Sequence, residues 1–386
     1  MLKHLFKLIW KKKKTNFLMM LEIFVSFLIL FAAWSLGLYY YRNYSQPAGS
    51  STENVWALYC SFGTDTTREQ NKDLIRQKLK TYPQVEFFAF SESNVPFGFS
   101  SSNRRFDYQQ TKVAADFMRV DPEIVQVLQL KLIAGKFPDA ADNLNKFRPA
   151  IINRTLNNKL FKNENALGKI LNEKSDDPEE KMQVVGIVEN FKFKSDFQEI
   201  APCLLTTGDK WSSVCLVRVK PEADVNFEAK LSKELLNIGK DWSIEVQHMD
   251  NMKINQNKIA LIPILILFIV YSFLVFNVAL GLFGVLFQTI NRRRGEIGVR
   301  RAMGATKNDI LWQFTGETLV IATFGMSLGL FFAIQFPLLH VFDNRVPWFL
   351  AILCAIISVY ILVILCAILP SRQAAMIYPA IALHED

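Results

Sequence analysis

The residues able to do chemistry are few and far apart. His4, His248, His340 and His384 fall far apart in sequence, so the spacing of a metal site is not present. LGKI at 167–170 is the nearest approach to a phosphate loop, and it lacks both the upstream glycine and the following Ser or Thr that would hold magnesium. Glu22 and Glu317 lie within or beside long apolar runs, where a charge is expensive and often functional. Each is close to the basic end of its run, so a snorkelling side chain or a local helix pair explains it as well. Cys203 and Cys215 flank TTGDKWSS. They either face each other across a hairpin as a disulfide or remain free buried thiols, the reading that an odd count of three cysteines in 42–257 favours. No set of paired groups suits catalysis, and the chain is not expected to be an enzyme by itself.

What stands out instead is RRRGEIGVRRAMGATKNDI, from Arg292 to Ile310, a basic segment between two long apolar runs. Gly295, Gly298, Gly304 and Ala305 lower helix propensity and leave room for another backbone. Thr306 and Asp309 have capping-box spacing, which predicts a helix starting at Lys307. A short helix of roughly Gly295–Met303 precedes it, with Glu296 and Arg300 able to pair at i,i+4 and Ile297 one turn from Arg301. The segment reads as a rigid lever for a partner's groove, its contact set Glu296, Ile297, Gly298, Arg300, Arg301, Ala302, Gly304 and Ala305, with Ile297 as the apolar knob. The plainer alternative is a hinge whose charge only fixes topology.

The positioning elements are apolar helices. Residues 17–41 (interrupted by Glu22), 259–290, 318–339 and 347–369 each reach the roughly 20 residues a spanning helix needs. This gives a membrane protein of four transmembrane α-helices with a large α+β periplasmic domain between the first and second. The expected segments are 1–16, 17–41 (first span), 42–257 (periplasmic, with two subdomains), 258–290 (second span with a stalk), 291–306 (lever), 307–340 (third span), 347–370 (fourth span) and a tail at 371–386. Residues 1–16 hold six Lys and no acid, and 291–310 hold six Lys or Arg against two acids, whereas 42–257 is balanced at 29 of each sign. Lys- and Arg-rich short loops stay in the cytoplasm, so both termini and the lever are expected there, in a bacterial inner membrane, with 42–257 and the 341–346 turn outside. The net charge of +8 is thus an orientation signal rather than a sign of nucleic-acid binding. MLKHLFKLIWKKKK is either an amphipathic interfacial helix or a basic anchor for the first span. Gly325 and Gly329 form a small-xxx-small pair that would suit a dimer seam. In the exported part, 55–60, 85–90, 182–188, 203–207, 214–219 and 242–246 read as strands, 67–81 and 227–238 as helices, and 172–180 as a loop tip.

RRxEIGVRRAxGA after a long span resembles the signature of the MacB and FtsX family of ABC transporter permeases. Arg293, Arg294, Glu296, Ile297, Gly298, Val299, Arg300, Arg301, Ala302, Gly304 and Ala305 carry it. Glu317, the stretches 130–138, 150–161, 166–171 and 184–195 with Pro202, and a tail with Pro370, Ala374, Pro379, Ala382 and Leu383 are similar to further family segments. The resemblance implies that 295–305 is the coupling helix seated in a separate ATP-binding ABC subunit, with no cofactor on this chain and ATP and Mg on that partner. It implies a homo- or heterodimer with another permease in the lipid bilayer. It also implies mechanotransmission, in which ATP-driven movement reshapes the periplasmic domain. Efflux of a peptide, drug or lipoprotein-type substrate, with a periplasmic adaptor or outer-membrane duct, is one expectation. The alternative is an FtsX-like signalling or scaffold protein that regulates an extracytoplasmic partner such as a wall hydrolase.

Overall fold

A computed structural model describes residues 13–61, 68–139, 142, 145–162, 164–172, 175, 177, 180–208, 213–238, 243–339 and 347–376. The expected interfacial helix before Lys13, the 341–346 turn, most of the 172–180 tip, the tail beyond Met376, and His4, His340 and His384 lie outside them. The described chain forms two compact units, Asn43–Ile262 and a second made of Met1–Arg42 with Pro263–Asp386.

The second unit holds the greater part of each apolar helix. Helix α1 is Lys13–Tyr44, α6 is Met249–Asn291, α8 is Lys307–Leu338 and α9 is Trp348–Ala375, all long and apolar enough to cross a bilayer. The core between them is built from Ile23, Phe27, Phe31, Met326, Ala355 and Val359. A Cβ on Gly325 would lie 2.8 Å from the Met20 carbonyl oxygen and one on Gly329 would strike the Phe27 ring. The small-residue pair therefore lets α1 pack on α8 within one chain, and the seam between copies expected there is not available. Helix α6 starts nine residues before the expected Lys258, because the strand ahead of it ends at His248 and leaves no loop. At 43 residues it is about 65 Å long.

The first unit is α+β. β1 (Val55–Ser61), α2 (Arg68–Leu79) and β2 (Val85–Ser91) form one half of a split βαβ arrangement. β10 (Val214–Val219), α5 (Val225–Leu236) and β11 (Ser243–His248) form the other half. The sheet is antiparallel with order β11-β1-β10-β2. Its Trp56, Leu58, Cys215 and Val217 pack on Ile75, Leu79, Phe227 and Leu231 of the two helices.

Inserted between β2 and β10 is a seven-stranded mixed sheet of order β3-β4-β9-β6-β8-β5, with β7 on β8. Its strands are β3 (Asn103–Tyr108), β4 (Thr111–Arg119), β5 (Leu132–Gly135), β6 (Arg148–Asn153), β7 (Ile170–Leu171), β8 (Met182–Val188) and β9 (Cys203–Thr206). Helices α3 (Ile124–Leu128) and α4 (Arg154–Phe161) complete it. Asn153 caps α4 by accepting from Leu156 N at 2.9 Å, and the same oxygen accepts from Cys203 N at 3.0 Å. That bond ties the helix start to the neighbouring strand.

Cys203 and Cys215 sit in different sheets, so no hairpin brings them together, and both are free buried thiols. Burial pushes the Cys60 thiol up to about 12, which keeps it protonated and unreactive. Asp116 is 2% exposed; one carboxylate oxygen lies 3.5 Å from Lys194 Nζ and the other has no hydrogen-bond partner. Burial raises its pKa against the opposing pull of Lys194. A carboxyl with a raised folded pKa costs nothing below its unfolded value and destabilises as pH rises through the folded one. Asp116→Asn is therefore expected to gain on wild type, by on the order of 1 kcal/mol, between about pH 4 and neutrality. Thermal unfolding of this domain across that range checks it; a difference independent of pH would contradict it.

Candidate functional site

The basic turn folds as helix α7, Arg294–Ala302, between the ends of α6 and α8. Its exit is a Schellman motif. Gly304 adopts φ +98° and its N–H bonds the Arg301 carbonyl at 3.2 Å, while Ala305 N–H reaches the Arg300 carbonyl at 3.0 Å. Thr306 and Asp309 then form the capping box that starts α8, with Asp309 N donating to Thr306 Oγ1 at 3.2 Å and Thr306 N to Asp309 Oδ2 at 2.9 Å. Gly304 thus serves chain reversal, since a side chain would be strained at that φ.

Two sets of contacts fix the inward face of α7. Ile297, 1% exposed, packs with Ile290 of α6, Ile310 and Phe314 of α8, and Ala305. Around this plug runs a closed polar ring. Arg293, 9% exposed on its side chain, donates to Glu317 at 2.6 Å and to Glu296 at 3.0 Å. Arg300 donates to Glu296 at 2.6 Å and to Gln313 Oε1, and Gln313 donates to Glu317 at 3.2 Å. The Arg293 guanidinium also lies over the Phe314 ring at 4.8 Å. α7 is thereby bound to the base of α8 by charge-assisted bonds on both sides of an apolar plug.

The outward face is different. Val299 is 45% exposed and Met303 76%, one turn apart, with exposed Gly295 and Ala302 beside them. The sequence-derived contact set is therefore split. Ile297 and Gly298 face inward, so the apolar side chain this helix presents to solvent is Val299 and not the expected Ile297. Residues two apart on a helix lie on nearly opposite faces, and burying Ile297 turns Val299 out. Glu296 and Arg300 belong to the ring, and Ala302 alone of the set lies on the outward apolar face. Arg301 is half-buried and donates to the Ala305 carbonyl at 3.0 Å, bracing the turn. Arg293, Val299, Met303, Gln313 and Phe314 were not in that set, although the i+4 spacing of Val299 and Met303 was there to read.

Of the two boundary carboxylates, Glu317 closes the ring. Glu22 lies against Gly281 of α6, where any Cβ would collide with its carboxylate. Glu22 thus contacts a neighbouring helix rather than extending along its own. His248 pairs with Glu228 at 2.8 Å in the first unit.

Comparison with known proteins fits this architecture. Residues 17–233 match the model of the MacB-like periplasmic core domain, and residues 264–379 match that of the FtsX-like permease C-terminal domain. The chain belongs to the MacB/FtsX family of ABC transporter permeases. Among its relatives, the macrolide export ATP-binding/permease protein MacB of Rhodopseudomonas palustris (strain BisB18) is 35% identical over 113 residues, 28% of this chain and 17% of that protein. MacB of Neisseria meningitidis serogroup A / serotype 4A is 25% identical over 303 residues, 74% of this chain and 46% of that protein. The uncharacterized ABC transporter permease YknZ of Bacillus subtilis (strain 168) is 21% identical over 300 residues, 74% of each chain. The chain spans less than half the length of these MacB proteins. As a MacB/FtsX permease it is a multi-pass membrane protein, and α7 occupies the basic turn of its FtsX-like part.

Proposed function

We propose that this permease is the membrane subunit of an ABC transporter and that a separate ATP-binding subunit seats on the outward face of α7. The observation that carries this is the two-sidedness of α7. One face is fixed to α8 by Ile297 and the Arg293–Glu317 ring, while the other offers Val299, Ala302 and Met303 to solvent. A helix held so firmly on one side and apolar on the other suits a part that receives a push and passes it on. The charge distribution supports a cytoplasmic turn and cytoplasmic termini, and ATP and magnesium would be held by the partner. The continuous α6 supports mechanotransmission to the extracytoplasmic domain. The substrate proposed for it, from family membership alone, is of the peptide, drug or lipoprotein type.

Val299→Asp or Met303→Asp is expected to weaken copurification of the ATPase at least about 30-fold, the scale of a lost interface anchor of roughly 2 kcal/mol. The permease's own melting temperature should stay unchanged, because neither side chain is buried. ATPase recovered at wild-type yield with both variants would contradict the reading.

A further inference from the structure

In the first unit, the segment Lys192–Gln198 holds the end of the first spanning helix and the start of the second at once. On one side, Lys192, 2% exposed on its side chain, donates from Nζ to the Asn43 carbonyl at 2.7 Å, in the last turn of α1. An ammonium at a helix C-terminus satisfies a carbonyl that has no partner within the helix and opposes the negative end of the helix dipole. Asn43 returns the contact by donating from Nδ2 to the Phe197 carbonyl at 3.2 Å, and Tyr44 stacks on Phe197 at 5.2 Å. The chain just after α1 is held too, since Lys192 N donates to the Ala48 carbonyl at 2.8 Å. Gly49, at φ +72°, lies so close to the Asn190 carbonyl that no side chain fits.

On the other side, Asn257 of α6 uses its whole amide. Its Oδ1 accepts from Asp196 N at 2.9 Å and from Ser195 Oγ at 3.0 Å, while its Nδ2 donates to Asp196 Oδ2 at 2.8 Å. Lys253, one turn earlier, pairs with the same Asp196 carboxylate at 3.3 Å. Phe191 and Phe193 anchor the segment in the core shared with Met249 and Met252 of α6. The polar groups of this β8–β9 connection thus find partners on both helices, not only within the connection itself.

We propose that Lys192–Gln198 is the transmission joint of this permease, a clasp that makes the exit of α1, the stalk of α6 and the extracytoplasmic domain move together. It rests on the reading of the chain as an ABC permease that works by mechanotransmission. Asn257 and Asp196 are positioning residues in it: they bind no ligand and act by fixing one helix to another.

The test uses the full permease with its copurified ATPase in lipid nanodiscs. Amide hydrogen exchange is compared without nucleotide and after trapping with ATP, magnesium and vanadate. In wild type the trapped state is expected to change exchange both in 294–317 and across the extracytoplasmic domain. In Asn257→Ala the change in 294–317 should persist, while that across 43–61 and 182–198 should drop to less than a third. The exchanged pair Asp196→Asn with Asn257→Asp keeps one donor and one acceptor facing each other, and puts the carboxylate one turn from Lys253 in place of the Asp196 one; it should restore the response in part, a rescue that loss of folding would not show. Should Asn257→Ala fail to fold, Lys253→Ala, which removes the 3.3 Å pair and a cation–π contact with Phe97, is expected to give a smaller loss in the same direction. A variant that passes the full wild-type response outward overturns the clasp. A wild-type complex with no response beyond 294–317 overturns mechanotransmission itself, and the clasp with it.

Discussion

Arg293→Met is expected to cost the seating of α7 about 3 kcal/mol, because it leaves Glu317 and Glu296 facing each other with their shared cation gone. Removing one partner of a largely buried ion pair is worse than removing both, since the remaining charge keeps its desolvation cost without compensation. The Glu317 side chain is 18% exposed, which places the pair nearer the buried than the surface regime. Amide exchange in Arg294–Ala302 should accelerate roughly 100-fold, the population shift that such a loss produces in local opening. Adding Glu317→Leu to Arg293→Met should recover part of the protection, because Glu296 can still pair with Arg300. Unchanged exchange in the single variant would mean that the polar ring contributes nothing to holding the helix.

The second large effect concerns the plug. Ile297→Ala should destabilise the α6–α7–α8 corner by about 2–4 kcal/mol through lost burial and the cavity left beside Ile290, Ile310 and Phe314. Ile297→Val, which removes one methylene, should cost only about 1 kcal/mol. Limited trypsin cleavage after Arg300 and Arg301 reports the difference, since a protease needs the α7 helix to open locally before it can cut there. Cleavage no faster in Ile297→Ala than in wild type would return Ile297 to the outward face on which the sequence alone had placed it.

That reversal shows where sequence reasoning was strong and where it failed. The four spans are announced by long uncharged runs, and Thr306 with Asp309 gives a capping signal whose chemistry is local, so Lys307 as the start of α8 was legible. Strands such as Met182–Val188 and Val214–Val219 are dense in β-branched residues and could be read directly. The β3–β4 hairpin could not. Its turn puts Gln109 at φ +54°, a conformation usually signalled by Gly or Asn, and β3 carries Arg104, Arg105 and Asp107 as an edge strand. Nor could composition reveal which of Ile297 and Val299 is buried. Both are apolar, and the choice is made by Ile310 and Phe314 on another helix. The polar ring was half legible: Glu296–Arg300 follows from i,i+4 spacing, whereas Arg293–Glu317 spans a chain reversal and needs the fold. The clasp is a constellation of the same kind, joining Asn43, Lys192 and Asn257 across more than half the chain.

The central claim is that the outward stripe of α7 is the surface on which an ATP-binding subunit sits. A photoreactive amino acid placed singly at Val299, Met303 or Ile297 in the native membrane tests it most directly. The account predicts a covalent adduct with an ATP-binding subunit from 299 and 303 and none from 297. Adducts from 297 alone, or no such adduct from either outward position, would contradict it.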